Sequence, residues 1–239
     1  CRSRCLVVMY PTKNHPFGWS DFYLVVLFLS SHRRAELVAI DQNTALIAVG
    51  AQFAGDHLHR RADLDVLRLS PEEFTPSRAL HGTAIAALLV GDPATRAPGL
   101  VPSARLVAVD AFHRRGSDER ADVFTLVEAM GLLAERGVGV LNLSLAGPPN
   151  TVLAEVVSRL KEERDIVLVS AVGNDGPRAA PAFPAAYAQV IAVTAVDRER
   201  AVYRRAIRGE HVDLAAPGVA VWTAASISGA RWKTGTSYA

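Results

Sequence analysis

From about residue 36 onward, the chain alternates short runs of valine, leucine and isoleucine with segments whose apolar residues recur at helical spacing. No other feature limits the fold as much. A strand that is apolar on both faces must be covered on both, and a parallel sheet lying between helices does this. Candidate strands run from Leu46 to Val49, Arg105 to Val109, Val138 to Leu143, Ile166 to Val172 and Val190 to Ala195. Between them, Val123, Leu126, Val127, Met130 and Ala134 repeat at helical spacing up to Gly137, a suitable left-handed cap. A second helix is predicted where Val152, Val156, Val157 and Leu160 line one face and Lys161, Glu162, Glu163 and Arg164 supply a solvated end. The expected class is α/β: a mostly parallel sheet with helices on both faces.

Bulk properties narrow the function. The chain has 239 residues, 50% of them apolar, enough for one sizeable core. The 26 basic and 24 acidic side chains are spread evenly, so no basic face points to nucleic acid. Cys1 and Cys5 lack the second pair of a structural zinc site, and two cysteines exclude a disulfide scaffold. The run from Phe22 to Ser30 is far shorter than the roughly 20 residues of a membrane helix. Lys13 and Ser30-Ser31 fit a signal peptide poorly, and a buried strand or helix is the expected reading. No methionine precedes Cys1 and the chain stops two residues after Ser237, so a fragment of a longer polypeptide is expected.

In open parallel sheets, ligand sites gather beyond the carboxyl ends of the strands. Two polar, glycine-bearing loops fall there: SLAGPP from Ser144 and GNDGP from Gly173. Near the end of the chain, Ser237 sits in Gly-Thr-Ser. A serine hydroxyl is a weak nucleophile and needs a base, usually histidine, with donors for the oxyanion that forms on attack. His81 opens the apolar helical segment HGTAIAALLVG, and Asn174 directly follows a buried strand. Taken singly, a histidine is more often a surface or core residue, and Asn-Asp-Gly is a common turn.

Together, HGTAIAALLVG, LNLSLAGP, VSAVGNDGP and GTSYA, in that order, resemble the motifs of the subtilisin-like serine peptidases. The segments GLVPSARLVAVDAF, FPAAYAQVIAVTAVD and VDLAAPG resemble the same family, over roughly residues 45 to 239. The resemblance implies a three-layer α/β peptidase domain over residues 36–239, with residues 1–35 unassigned. It implies that Ser237 attacks the scissile carbonyl, that His81 takes its proton, and that Asn174 with the Ser237 backbone N–H holds the oxyanion. Ser144, Leu145, Ala146 and Gly147 match the edge that pairs with an extended peptide substrate. Ala171, Val172 and Gly173 match one wall of the primary pocket, and their apolar character suggests an uncharged side chain before the scissile bond. A secreted or periplasmic location follows from the same resemblance. Calcium often stabilises the family, but no acidic loop has a recognisable ligand spacing, so no metal or cofactor is expected.

The third catalytic partner departs from the pattern. An aspartate should end the first core strand and hold the histidine's tautomer. In LIAVGAQFAGDHL, with His57 in the following-histidine place, that position is Gly50. Asp41 is an alternative, although Asp41-Gln42-Asn43 between two apolar runs also reads as a hairpin turn, and Asp56 is a third. Two functions stay open: a serine endopeptidase, or a catalytically impaired relative of the same fold that binds peptides.

Overall fold

The structure is a computed structural model. It describes residues 64–69, 73–77, 80–102, 104–224 and 229–239, and the backbone of three earlier strands. Those strands are β1 (Arg4–Thr12), β2 (Ser20–Leu29) and β3 (Leu37–Val38), an antiparallel sheet in the order β1-β2-β3. The apolar run beginning at Phe22 is therefore a strand. The expected strand from Leu46 to Val49 lies outside the described residues, as do Asp41, Gly50, Asp56 and His57.

The next strand, β4 (Leu64–Arg68), runs parallel to β5 (Leu106–Asp110), from Leu64 opposite Leu106 to Arg68 opposite Asp110. Between them lies α1 (Leu80–Val90), rich in alanine and leucine, which favour helix. Its residues Gly82 through Ala87 and Val90 are buried, as expected of a helix with no polar stripe. The helix stops at Gly91, whose carbonyl accepts from the Gly99 N–H at 2.9 Å. A Cβ on Gly99 would collide with the Gly91 nitrogen, and one on Gly91 with the carbonyls of Ala97 and Ala87, so this crossing requires both glycines.

After β5 comes a hairpin of β6 (His113–Arg115) and β7 (Asp118–Arg120), turned at Gly116 with φ +66°. The first predicted helix is α2 (Val123–Glu135). Asp122 caps it, accepting from the Thr125 N–H at 3.0 Å and the Thr125 hydroxyl at 2.8 Å. Gly137 follows at φ +69°. The second is α3 (Thr151–Glu162), capped by Asn150, whose Oδ1 accepts from the N–H groups of Val152 and Leu153, each at 3.0 Å. Strands β8 (Val140–Leu143), β9 (Val167–Ala171), β10 (Val190–Val196) and β11 (Leu214–Pro217) form a wholly parallel sheet in the order β11-β10-β9-β8. The hairpin β12 (Val221–Ala224) with β13 (Ala230–Lys233) leads into a 3₁₀ turn, Thr236–Tyr238.

The strand period of two sorts side chains between faces. On one face, Val107 and Val109 of β5 pack with Leu141 and Leu143 of β8 and with Met130, Leu133, Leu153 and Val157 of the two later helices. On the other, Leu106 packs with Ala86 and Val90 of α1. Helices thus cover both faces, and the class is three-layer α/β. Among the described residues β5 and β8 belong to separate ladders, yet they share one core. Leu141 is fully buried in it, and truncating such a leucine to alanine typically costs about 2–5 kcal/mol. No described helix is long and apolar enough to cross a membrane.

Candidate active site

His81 is the second residue of α1, so a buried helix fixes its backbone while its ring faces a cleft. Its imidazole meets the Tyr238 ring edge to face, with centroids 5.6 Å apart at 63°. Burial pushes the His81 pKa below its ordinary 6.5; Glu119 pulls it back and Lys233 lowers it further. The neutral ring, with one nitrogen able to accept a proton, therefore prevails at neutral pH.

Asn174 follows β9 by way of Val172 and Gly173, on the loop beyond that strand's carboxyl end. Its Oδ1 accepts from the Thr236 backbone N–H at 3.0 Å and from the Thr236 hydroxyl at 3.2 Å. A backbone N–H only donates, so the atom facing it must be the amide oxygen, and Nδ2 is turned to the opposite side as a donor. The Thr236 hydroxyl also accepts from the Gly173 N–H at 3.2 Å. Thr236 is 1% exposed. Ser237 comes next in the chain, on the 3₁₀ turn. Its hydroxyl donates to the Ser144 carbonyl at 3.5 Å, while its own carbonyl accepts from the Ser144 hydroxyl at 3.2 Å.

These groups meet in one cleft of about 370 Å³. His81, Asn174 and Ser237 line it, as do Ser144, Leu145, Ala146, Ala171 and Gly173. Val172 and Gly147, expected at the substrate, are not among the residues that line this cleft. Val172, immediately past the end of β9, is 0% exposed and packs into the core against Ala185, Ala192 and Ala206. Gly147 is paired with Phe183: its N–H donates to the Phe183 carbonyl at 2.8 Å and its carbonyl accepts from the Phe183 N–H at 3.0 Å. The Gly50, Asp41 and Asp56 candidates for the acid lie outside the described residues.

A hydroxyl, an imidazole and an amide donor around one apolar-walled cleft are the parts that acyl transfer requires. The subtilase family pattern matches residues 59–239, three quarters of the chain and all of the cleft. The chain belongs to the subtilase family. Over 164 residues this subtilase is 35% identical to a thermophilic serine proteinase of Bacillus sp. (strain AK1), a match covering 66% of this chain and 39% of that protein. It is 30% identical over 160 residues to subtilisin DY of Bacillus licheniformis, covering 65% of this chain and 57% of that one. This subtilase thus matches well under two thirds of the length of these relatives. Among solved structures, the self-cleaved protease domain of PatA superposes with a TM-score of 0.71 at 28% identity, covering 83% of this chain and 76% of that one.

Sequence reasoning missed several cleft residues. Glu119 and Phe112 line the cleft of this subtilase with Ser77 and Leu80, and the charged stretch HRRGSDER carries no apolar alternation to announce even the β6–β7 hairpin. Thr236 had a signal in its place before Ser237, but only the fold reveals that it ties two loops together.

Proposed function

We propose that this subtilase domain hydrolyses peptide bonds as a serine endopeptidase, with Ser237 as nucleophile, His81 as general base and Asn174 as oxyanion donor. The observation that carries this reading is the Thr236 linkage, which sets the Asn174 amide beside the nucleophile's turn in the cleft that His81 faces. In the first step the Ser237 hydroxyl leaves the Ser144 carbonyl, passes its proton to neutral His81 and bonds to the substrate carbonyl carbon. The resulting oxyanion accepts from Asn174 Nδ2 and the Ser237 N–H. His81 then protonates the leaving amine as the C–N bond breaks, and water releases the acyl group by the reverse sequence.

The peptide lies extended along Ser144, Leu145 and Ala146, with the side chain before the scissile bond against Ala171 and Gly173. We extend the proposal to a secreted or periplasmic protein, on family resemblance. The test is labelling by a serine-directed phosphonate with hydrolysis of a fluorogenic peptide. Both are expected in the native protein and both should collapse in His81→Ala; equal labelling of the two proteins removes His81 from the mechanism.

A second reading is supported by the Ser237 hydroxyl, which engages Ser144, and by Gly50 where an aspartate is expected. It is a subtilase that retains peptide binding and has lost turnover. Peptide affinity without labelling or cleavage would establish it.

A further inference from the structure

Thirteen residues line the cleft, and Glu119 is the one among them whose side chain carries a formal charge while His81 is neutral. The carboxylate is half-buried and rises from β7. Its neighbours on the cleft wall include Leu80, 37% exposed, and Phe112, half-buried. Phe112 directly precedes β6 and Glu119 lies on its partner β7, and both line the cleft. Apolar side chains and one carboxylate lining the same cleft suit a side chain with an aliphatic stem and a cationic head. Lysine and arginine lay such stems along apolar surface while their charge seeks a partner. A neutral or acidic side chain here would gain only the wall, or would meet like charge.

We infer that Glu119, with Leu80 and Phe112, forms a subsite that selects lysine or arginine at one position of the bound peptide close to the scissile bond. This rests on the peptidase reading for the peptide's place in the cleft. The Ala171–Gly173 wall lacks charge, so the cationic side chain and the one before the scissile bond occupy different places. Glu119 need not be without other partners: Arg114 across the hairpin directs its Nε to the Pro76 carbonyl at 3.1 Å, and a carboxylate offers about four acceptor sites.

The experiment compares peptides carrying lysine or its uncharged isostere norleucine at each position flanking the cleaved bond. The ratio of kcat/KM cancels any uniform effect of Glu119 on His81. At one position the native protein should prefer lysine by about 10- to 100-fold, the worth of one hydrogen bond between charged groups. Glu119→Gln should bring that ratio near one, and Glu119→Lys should favour an acidic residue there. Affinities of the same peptides for Ser237→Ala read the preference without chemistry. If native protein cleaves nothing while Ser237→Ala still prefers lysine through Glu119, the peptidase reading fails and the subsite stands. An unchanged lysine ratio in Glu119→Gln, by cleavage or by affinity, or no peptide binding at all, overturns the inference.

Discussion

Thr236 directs both its backbone N–H and its hydroxyl to the same oxygen of Asn174, at 3.0 and 3.2 Å. The hydroxyl simultaneously takes the Gly173 N–H at 3.2 Å. Thr236→Val keeps the shape and the backbone bond but leaves the buried Gly173 N–H without an acceptor. Such a loss costs about 1–3 kcal/mol, and it frees one side of Asn174. Denaturant unfolding should show that destabilisation and peptide assays a fall in kcat, with Thr236→Ser near native in both. A fully active, fully stable Thr236→Val would mean that the hydroxyl anchors nothing.

Asn174→Ala should lower kcat far more than it raises KM, because an oxyanion donor acts mainly in the transition state. A subtilisin, itself a family member, loses about 10²–10³ in kcat without its corresponding asparagine, and that scale is adopted from that enzyme. A change confined to KM would contradict the assignment.

The pH dependence follows from burial of His81. The folded pKa lies below the ordinary 6.5, so the acid limb of kcat/KM should have its midpoint below 6.5. Lys233 lowers the His81 pKa and Glu119 raises it, so Lys233→Met should move the limb up and Glu119→Gln should move it down, measured on a norleucine peptide. Stability has the same sign. Between the lowered folded pKa and 6.5 the unfolded chain binds more protons, so this contribution is complete above 6.5 and is lost as pH falls through that window. A limb at or above 6.5 would show that burial does not govern the imidazole.

Asp110 behaves in the opposite sense. It is 1% exposed at the end of β5, and its Oδ2 makes no well-formed hydrogen bond among the described residues, although the Phe112 N–H, Arg68 and Ser77 nearby favour its charged form. Desolvation is the largest cause raising its pKa from 3.8. The folded state therefore holds its proton longer than the unfolded chain, and stability falls as pH rises from 3.8 through the folded value. Asp110→Asn should stabilise the protein at neutral pH, with the gain vanishing below 3.8. Calorimetry at two pH values checks this, and a loss at neutral pH would show that the buried charge is well compensated.

The acid partner of His81 is testable from the sequence register. Removing the aspartate of a subtilisin costs about 3 × 10⁴ in kcat, a family value taken as the scale. With Gly50 in that place, Gly50→Asp should raise turnover by orders of magnitude and Asp41→Asn should change little. Loss of a healthy activity in Asp41→Asn would make Asp41 the acid.

Much of the fold was legible because its strands are buried. Ile166 to Val172 and Val190 to Ala195 come within a residue of β9 and β10, since a strand covered on both faces is written as an unbroken apolar run. The helices were legible from their stripes. The strands that escaped lack that pattern: β4 mixes Asp65 and Arg68 with its leucines, and β7 is Asp118–Glu119–Arg120. In the site, Ser237, His81 and Asn174 stood in recognisable strings, whereas the burial of the Val172 side chain in the core was not legible, because a string does not say which way the chain turns its side chains. Glu119 was invisible, since only the hairpin brings it to the cleft.

If a peptide docks as proposed along Ser144 to Ala146, the bridge between Gly147 and Phe183 limits how far it can be read through its backbone. Both main-chain groups of Gly147 are already taken, so the receiving edge closes after Ala146. A longer peptide gains no further rungs there, and extra length must be recognised through side chains or not at all. Such a groove would favour a short sequence signature over indiscriminate degradation of unfolded chains.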